Sequence, residues 1–140
     1  MTFTRMVPSV LLSVVLVGSL GACSGGDTVD AIVRAVEQGD GDAVDFEMVL
    51  GGQWDHFLVI CPYDGDVNES LGFEWADAPE PAYEEGSQEI VFVRDNEVVG
   101  SSRFGFGEVN FCRSGGWPLM AKGDTVTFDQ LDSGVWQAVR

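Results

Sequence analysis

The stretch AVDFEMVLGGQWDHFLVIC, residues 43–61, decides the fold. Its first part alternates: Val44, Phe46, Met48 and Leu50 are apolar, while Asp45 and Glu47 are acidic. Successive side chains on a strand point to opposite faces, so this spacing predicts a half-buried strand over 43–50. Gly51, Gly52 and Gln53 then supply a turn. The second part, 54–61, contains the unbroken apolar run Phe57, Leu58, Val59 and Ile60. A run of that kind predicts a strand covered on both faces.

Working outward, Ile90 to Val93 and Val98 to Val99 flank Arg94-Asp95-Asn96-Glu97. Asp and Asn tolerate the left-handed backbone of a two-residue turn, so 90–99 reads as a hairpin, with Arg94 and Glu97 as an opposite-charge cross-strand pair. Residues 125–129 and 134–139 suggest closing strands, and 104–117 is rich in Gly and aromatics without a clear period. Val29, Ile32, Val33 and Val36 sit at helical spacing, predicting a short helix over 28–37 that Asp27 or Thr28 caps and whose stability depends on docking. Asp66 and Glu69 have the spacing of a capping box at the start of a second short helix through Leu71 and Phe73. Residues 76–88 form an acidic Pro-containing loop. The expectation is a single small α+β domain, a mostly antiparallel sheet of about five or six strands with one or two short helices.

Length and composition agree with one domain. The chain has 140 residues, and 45% of them are apolar, enough to bury a core despite a net charge of −16. The first residues, MTFTRMVPSVLLSVVLVGSLGAC, place Arg5 ahead of an apolar run from Met6 to Leu20. The run is shorter than the roughly 20 residues a bilayer span needs and ends in small residues, which is the layout of a secretory signal.

Leu20-Gly21-Ala22-Cys23 at the end of that leader resembles the lipobox of bacterial lipoproteins. The resemblance implies cleavage after Ala22, diacylglycerol on Cys23, and attachment to the outer side of the cell membrane. Domain organisation follows as 1–22 removed signal peptide, 23–26 lipidated cysteine and tether, and 27–140 acidic domain. Two or more acyl chains anchor stably where one does not. With Cys23 carrying lipid, Cys61 and Cys112 remain of the three cysteines. An exported chain meets oxidising conditions, so these two are expected to form a disulfide. The competing reading makes Cys61 a catalytic thiol served by His56. Residues five apart on a strand face opposite ways, which separates them.

From residue 23 onward six basic side chains stand against 23 acidic ones, a net −17. Such a chain repels phosphate backbones, so nucleic acid is excluded as a partner, and its bulk is pushed away from anionic head groups. The partners expected are the membrane, through the lipid anchor, and an envelope protein or ligand.

A second resemblance rests on Trp54-Asp55 with Pro62-Tyr63, then Leu71-Gly72 with Trp75, then residues 91–99. Together these are similar to a group of small uncharacterised bacterial lipoproteins. That likeness marks Trp54, Asp55, Pro62 and Tyr63 as a candidate motif and implies no reaction.

Other chemistries find less in the sequence. Asp64 to Glu69 supplies oxygen at alternate positions, as a Ca²⁺ loop does, but Glu69 stands where the turn needs Gly and Trp75 where a bidentate acid belongs. Residues 40–45 have similar chemistry. One His and two separated Cys are too few for zinc, so no metal and no cofactor is expected. No Gly-x-Ser-x-Gly elbow is present, and His56 is the single histidine base. A carboxylate pair stays open, with Asp55 the acid to single out. Two aromatic groups, Trp54, Tyr63, Phe73 and Trp75 on one side and Phe104, Phe106, Phe111 and Trp117 on the other, are core or an exposed binding patch. The function expected is an exported, membrane-anchored lipoprotein with a non-catalytic binding or accessory role. The alternatives are a small carboxylate-dependent envelope hydrolase and a calcium-binding module.

Overall fold

The computed structural model describes residues 25–80 and 85–139. The expected signal peptide, residues 1–22, and the expected lipidation site Cys23 lie outside them. The domain is α+β and mostly β. Helix α1 (Gly25–Gln38) leads, followed by β1 (Val44–Asp45), β2 (His56–Ile60), helix α2 (Val67–Leu71), β3 (Gln88–Arg94), β4 (Glu97–Phe104), β5 (Val109–Asn110), β6 (Met120–Ala121), β7 (Thr125–Gln130) and β8 (Trp136–Val139).

One sheet of five or six strands is corrected to eight strands in two sheets, ordered β1-β7-β8-β5 and β4-β3-β2-β6. All pairings are antiparallel except β5 with β8. The additional strands are the two-residue β5 and β6, both from the stretch around the Gly-rich segment. Strands this short carry no alternation to read.

The strands β2 and β3 explain the layering. Phe57 pairs with Phe92 and Val59 with Ile90; these four face the larger buried cluster. Leu58 and Val91 are opposite each other and face the smaller cluster, with Ile60, Val93, Val67 and Leu71. The continuous apolar run is thus covered on both faces, as its sequence indicates. Val44, Val109, Val126, Phe128, Trp136 and Ala138 enter the larger cluster from the other sheet, Phe46 from just after β1, and Ile32 and Val36 from α1. Helix α1 therefore holds its place by docking, since its β-branched residues give it little intrinsic stability.

The expected strand over 43–50 is corrected: only Val44–Asp45 pairs, and Val49–Gly52 is a 3₁₀ turn. Asp45 Oδ1 accepts the Glu47 amide at 2.7 Å, and the Val49 amide donates to Phe46 O at 2.9 Å. These local bonds compete with a ladder and win. Val44 and Phe46 still face the core, but Met48 turns out to solvent at 80% exposure. The hairpin stands, with Asp95 at φ 53° and Asn96 at φ 58°, and Arg94 opposite Glu97. The α2 cap stands as well: Asp66 Oδ1 accepts from Asn68 N at 2.8 Å and Glu69 N at 3.3 Å. Gly72 closes the helix in the left-handed region.

Cys61 and Cys112 form a disulfide with Cα atoms 5.4 Å apart. It ties the end of β2 to the segment after β5.

Candidate functional site

The candidate motif divides between the two ends of β2. Trp54 and Asp55 precede the strand and Pro62 and Tyr63 follow it, with five strand residues spanning roughly 16 Å between. The four do not converge on one point.

At the first end, Trp54 is buried and its indole N–H donates to Val49 O at 2.7 Å. The bond fixes the 3₁₀ turn against the core. Lys122 Nζ donates to Gly52 O at 2.6 Å and stands 5.6 Å from the Trp54 ring centroid. The single lysine of the chain is held by a carbonyl and an aromatic face.

Asp55 ties the start of β2 to β3, to the turn after β6 and to the β3–β4 turn. Its amide donates to Val93 O at 2.8 Å, and its carbonyl accepts from Lys122 N at 2.7 Å. Its Oδ1 lies 3.1 Å from His56 Nδ1, and its Oδ2 accepts the Asp95 amide at 3.3 Å. The bond from His56, with the Asp95 amide adding to it, holds the Asp55 carboxyl below the usual Asp range. Both side chains of the pair are nearly half exposed. Asp95 meets Asp55 through its backbone amide, not its carboxylate. The geometry makes Asp55 a clamp on the β3–β4 turn.

At the far end, Tyr63 is exposed with φ 65° and its hydroxyl donates to Glu85 Oε1. That bond pushes the phenol above its ordinary range, because the carboxylate stabilises the protonated form. Asp64 Oδ2 accepts the Cys61 amide at 2.7 Å, which draws the turn closed beside the disulfide.

Four side chains of the two Ca²⁺-like stretches, Asp45, Asp64, Asp66 and Asn68, turn an oxygen to backbone amides of the chain itself. Asp64 and Asp66 bind the amides already named, and Asn68 Oδ1 accepts the Trp75 amide at 2.9 Å. In the earlier stretch Asp45 Oδ1 takes the Glu47 amide. Among the described residues, no three His, Cys, Asp or Glu side chains are grouped so as to hold a metal ion.

The aromatic groups are mainly core. Trp54, Phe111 and Trp117 are buried in the larger cluster with Phe104 against it, and Phe73 and Trp75 pack on the smaller one. Tyr63 is exposed, and Phe106 is half-buried and joins neither cluster.

Two features were not read from the sequence. Gln88, assigned to the acidic loop, begins β3 and is 1% exposed. Its Nε2 donates to Gly105 O and Val109 O, and its Oε1 accepts the Phe111 amide. Nothing local to a Gln after Gly-Ser signals this, because every partner lies more than fifteen residues away. The second is a groove lined by Ala31, Arg34, Ala35, Phe46, Met48 and Val49, between α1 and the 3₁₀ turn. It exists because the expected strand gave way to a turn and put Met48 outside.

No helix among the described residues is long and apolar enough to cross a membrane. No protein family, curated protein or solved structure matches the chain.

Proposed function

We propose that the protein is an exported lipoprotein, anchored through lipid on Cys23 to the extracytoplasmic face of the cell membrane. Its acidic domain serves there as a non-catalytic binding or accessory module of the envelope. The observation that carries this reading is the cysteine arrangement. Cys61 and Cys112 are bonded to each other. Such bonds persist in oxidising compartments, and the odd thiol left over follows Leu20-Gly21-Ala22 at the end of a charged-then-apolar leader. The likeness to small bacterial lipoproteins through Trp54, Asp55, Pro62 and Tyr63 points the same way.

A binding role suits the domain better than hydrolysis. Asp55, the acid singled out for catalysis, has its two oxygens engaged by His56 and by the Asp95 amide. Metabolic labelling with a palmitate analogue tests the anchor. The wild-type chain takes up label and sediments with membranes, and Cys23→Ala does neither. Equal labelling and sedimentation of Cys23→Ala would remove the anchor and its location.

A further inference from the structure

We propose that the Met48 edge of the groove beside α1 rests on the lipid bilayer that anchors the chain. This inference rests on the lipoprotein reading and adds to it an orientation and a contact surface.

Three observations converge. The first is the length of chain between anchor and domain. Helix α1 begins at Gly25, so the stretch read as a tether to residue 26 shrinks to little more than Ser24. Two residues span at most about 7 Å, so Cys23 holds the start of α1 at the bilayer. Helix α1 is itself docked into the body through Ile32 and Val36, both fully buried. The end of the domain that carries the start of α1 therefore stays close to the anchoring surface.

The second is the exposed apolar side chain. Met48 is the most exposed large hydrophobic residue described, and Ala31, Ala35 and Val49 stand beside it in the groove. Ala31 lies six residues along α1 from Gly25, about 9 Å by helical rise, which keeps the groove within reach of the anchoring surface.

The third is charge. Arg34 lines the same groove and is the only Lys or Arg between residues 24 and 93. An acidic body held close to anionic head groups turns its acids away and its cation toward the phosphates. Beside α1, the Arg34 side is where that can happen. Asp45 shares the groove, and Glu47 precedes Met48. The surface is consequently too weak to bind lipid from solution and works only when the anchor supplies a high local concentration.

The test uses the full chain, acylated and reconstituted in phosphatidylethanolamine–phosphatidylglycerol vesicles. A photoreactive benzoylphenylalanine replaces Met48 in one sample and Ser133 in another. Ser133 is exposed in the turn after β7, at the other end of that strand from its pairing with β1. The expected result is several-fold more lipid adduct at position 48 than at position 133, falling when Arg34→Glu is added. Equal adduct at both positions, with both proteins floating with the vesicles, overturns the orientation and leaves the anchor standing. A wild-type chain that carries no lipid and fails to float overturns the anchor itself, and this contact with it.

Discussion

Gln88 Oε1 accepts the Phe111 amide at 2.9 Å, from a side chain that is itself 1% exposed. The same side chain donates through Nε2 to Val109 O at 2.6 Å and Gly105 O at 3.0 Å. One glutamine at the start of β3 thus ties the Gly-rich segment down on both sides of β5. It sets Phe111 among Phe46, Phe104, Trp117 and Phe128, with ring centroids 5.4 to 6.3 Å away.

Replacing Gln88 with Leu keeps much of the volume and strips three backbone groups of their partner. Leaving buried polar groups unpaired costs about 1–3 kcal/mol each, less where a group finds another partner. Gln88→Leu is expected to lower stability by about 3 kcal/mol in urea unfolding. A midpoint equal to wild type would show that the Gly-rich segment does not depend on this side chain.

The disulfide closes a loop over a sequence separation of 51 residues. Chain-entropy arithmetic gives about 4 kcal/mol for a loop of that size, an upper value where the unfolded chain keeps structure. The Cys61→Ser, Cys112→Ser variant should melt well below the oxidised wild type. Thiol titration of the denatured, unreduced domain should find neither residue reactive, and reduction should bring wild type to the variant's midpoint.

Asp66 caps a helix of five residues whose Val67 and Leu71 are buried in the smaller cluster. Asp66→Ala removes the acceptor for two amides and should cost about 1 kcal/mol. Asp66→Asn should keep most of that, and Ca²⁺ should leave both midpoints where they are, since the oxygens serve the helix. A wild-type midpoint that rises with Ca²⁺ would contradict this use of Asp66.

Asp55 makes a small, acid-sensitive contribution to stability. Its carboxyl pKa is depressed in the fold, chiefly by the hydrogen bond from His56. A depressed folded pKa means that its contribution is complete above the unfolded value of about 3.9 and fades as pH falls through the lower folded value. Asp55→Asn should narrow the difference from wild type as pH falls through that window and leave a constant difference above it. A stability difference that grows toward acid would contradict the depressed pKa. Solvent reaches this pair, so the effect is small.

Much of the fold was legible because it rests on local rules. The run from Phe57 to Ile60 identified a strand covered on both faces, Asp95-Asn96 the hairpin turn, and Asp66 the start of α2. The rest failed where competing local bonds or distant partners decide the backbone. Asp45, Phe46 and Met48 alternate like a strand, yet the Asp45 carboxylate and the Trp54 indole bind a turn together. Two-residue strands such as β5 and β6 take their register from β8 and β2 and leave no pattern of their own. The candidate motif was legible as residues and not as a place, because Asp55 and Tyr63 stand at opposite ends of one strand. Gln88 and the Met48 groove depend wholly on long-range contacts.

The proposed location stands on lipid carried by Cys23. Intact and peptide mass spectrometry of the chain purified from native membranes measures it directly. The account predicts a mature polypeptide starting at Cys23, with the mass of a diacylglycerol group on its sulfur and the Cys61–Cys112 bond intact. A chain that starts upstream of Cys23, or one whose Cys23 carries no acyl mass, would contradict it.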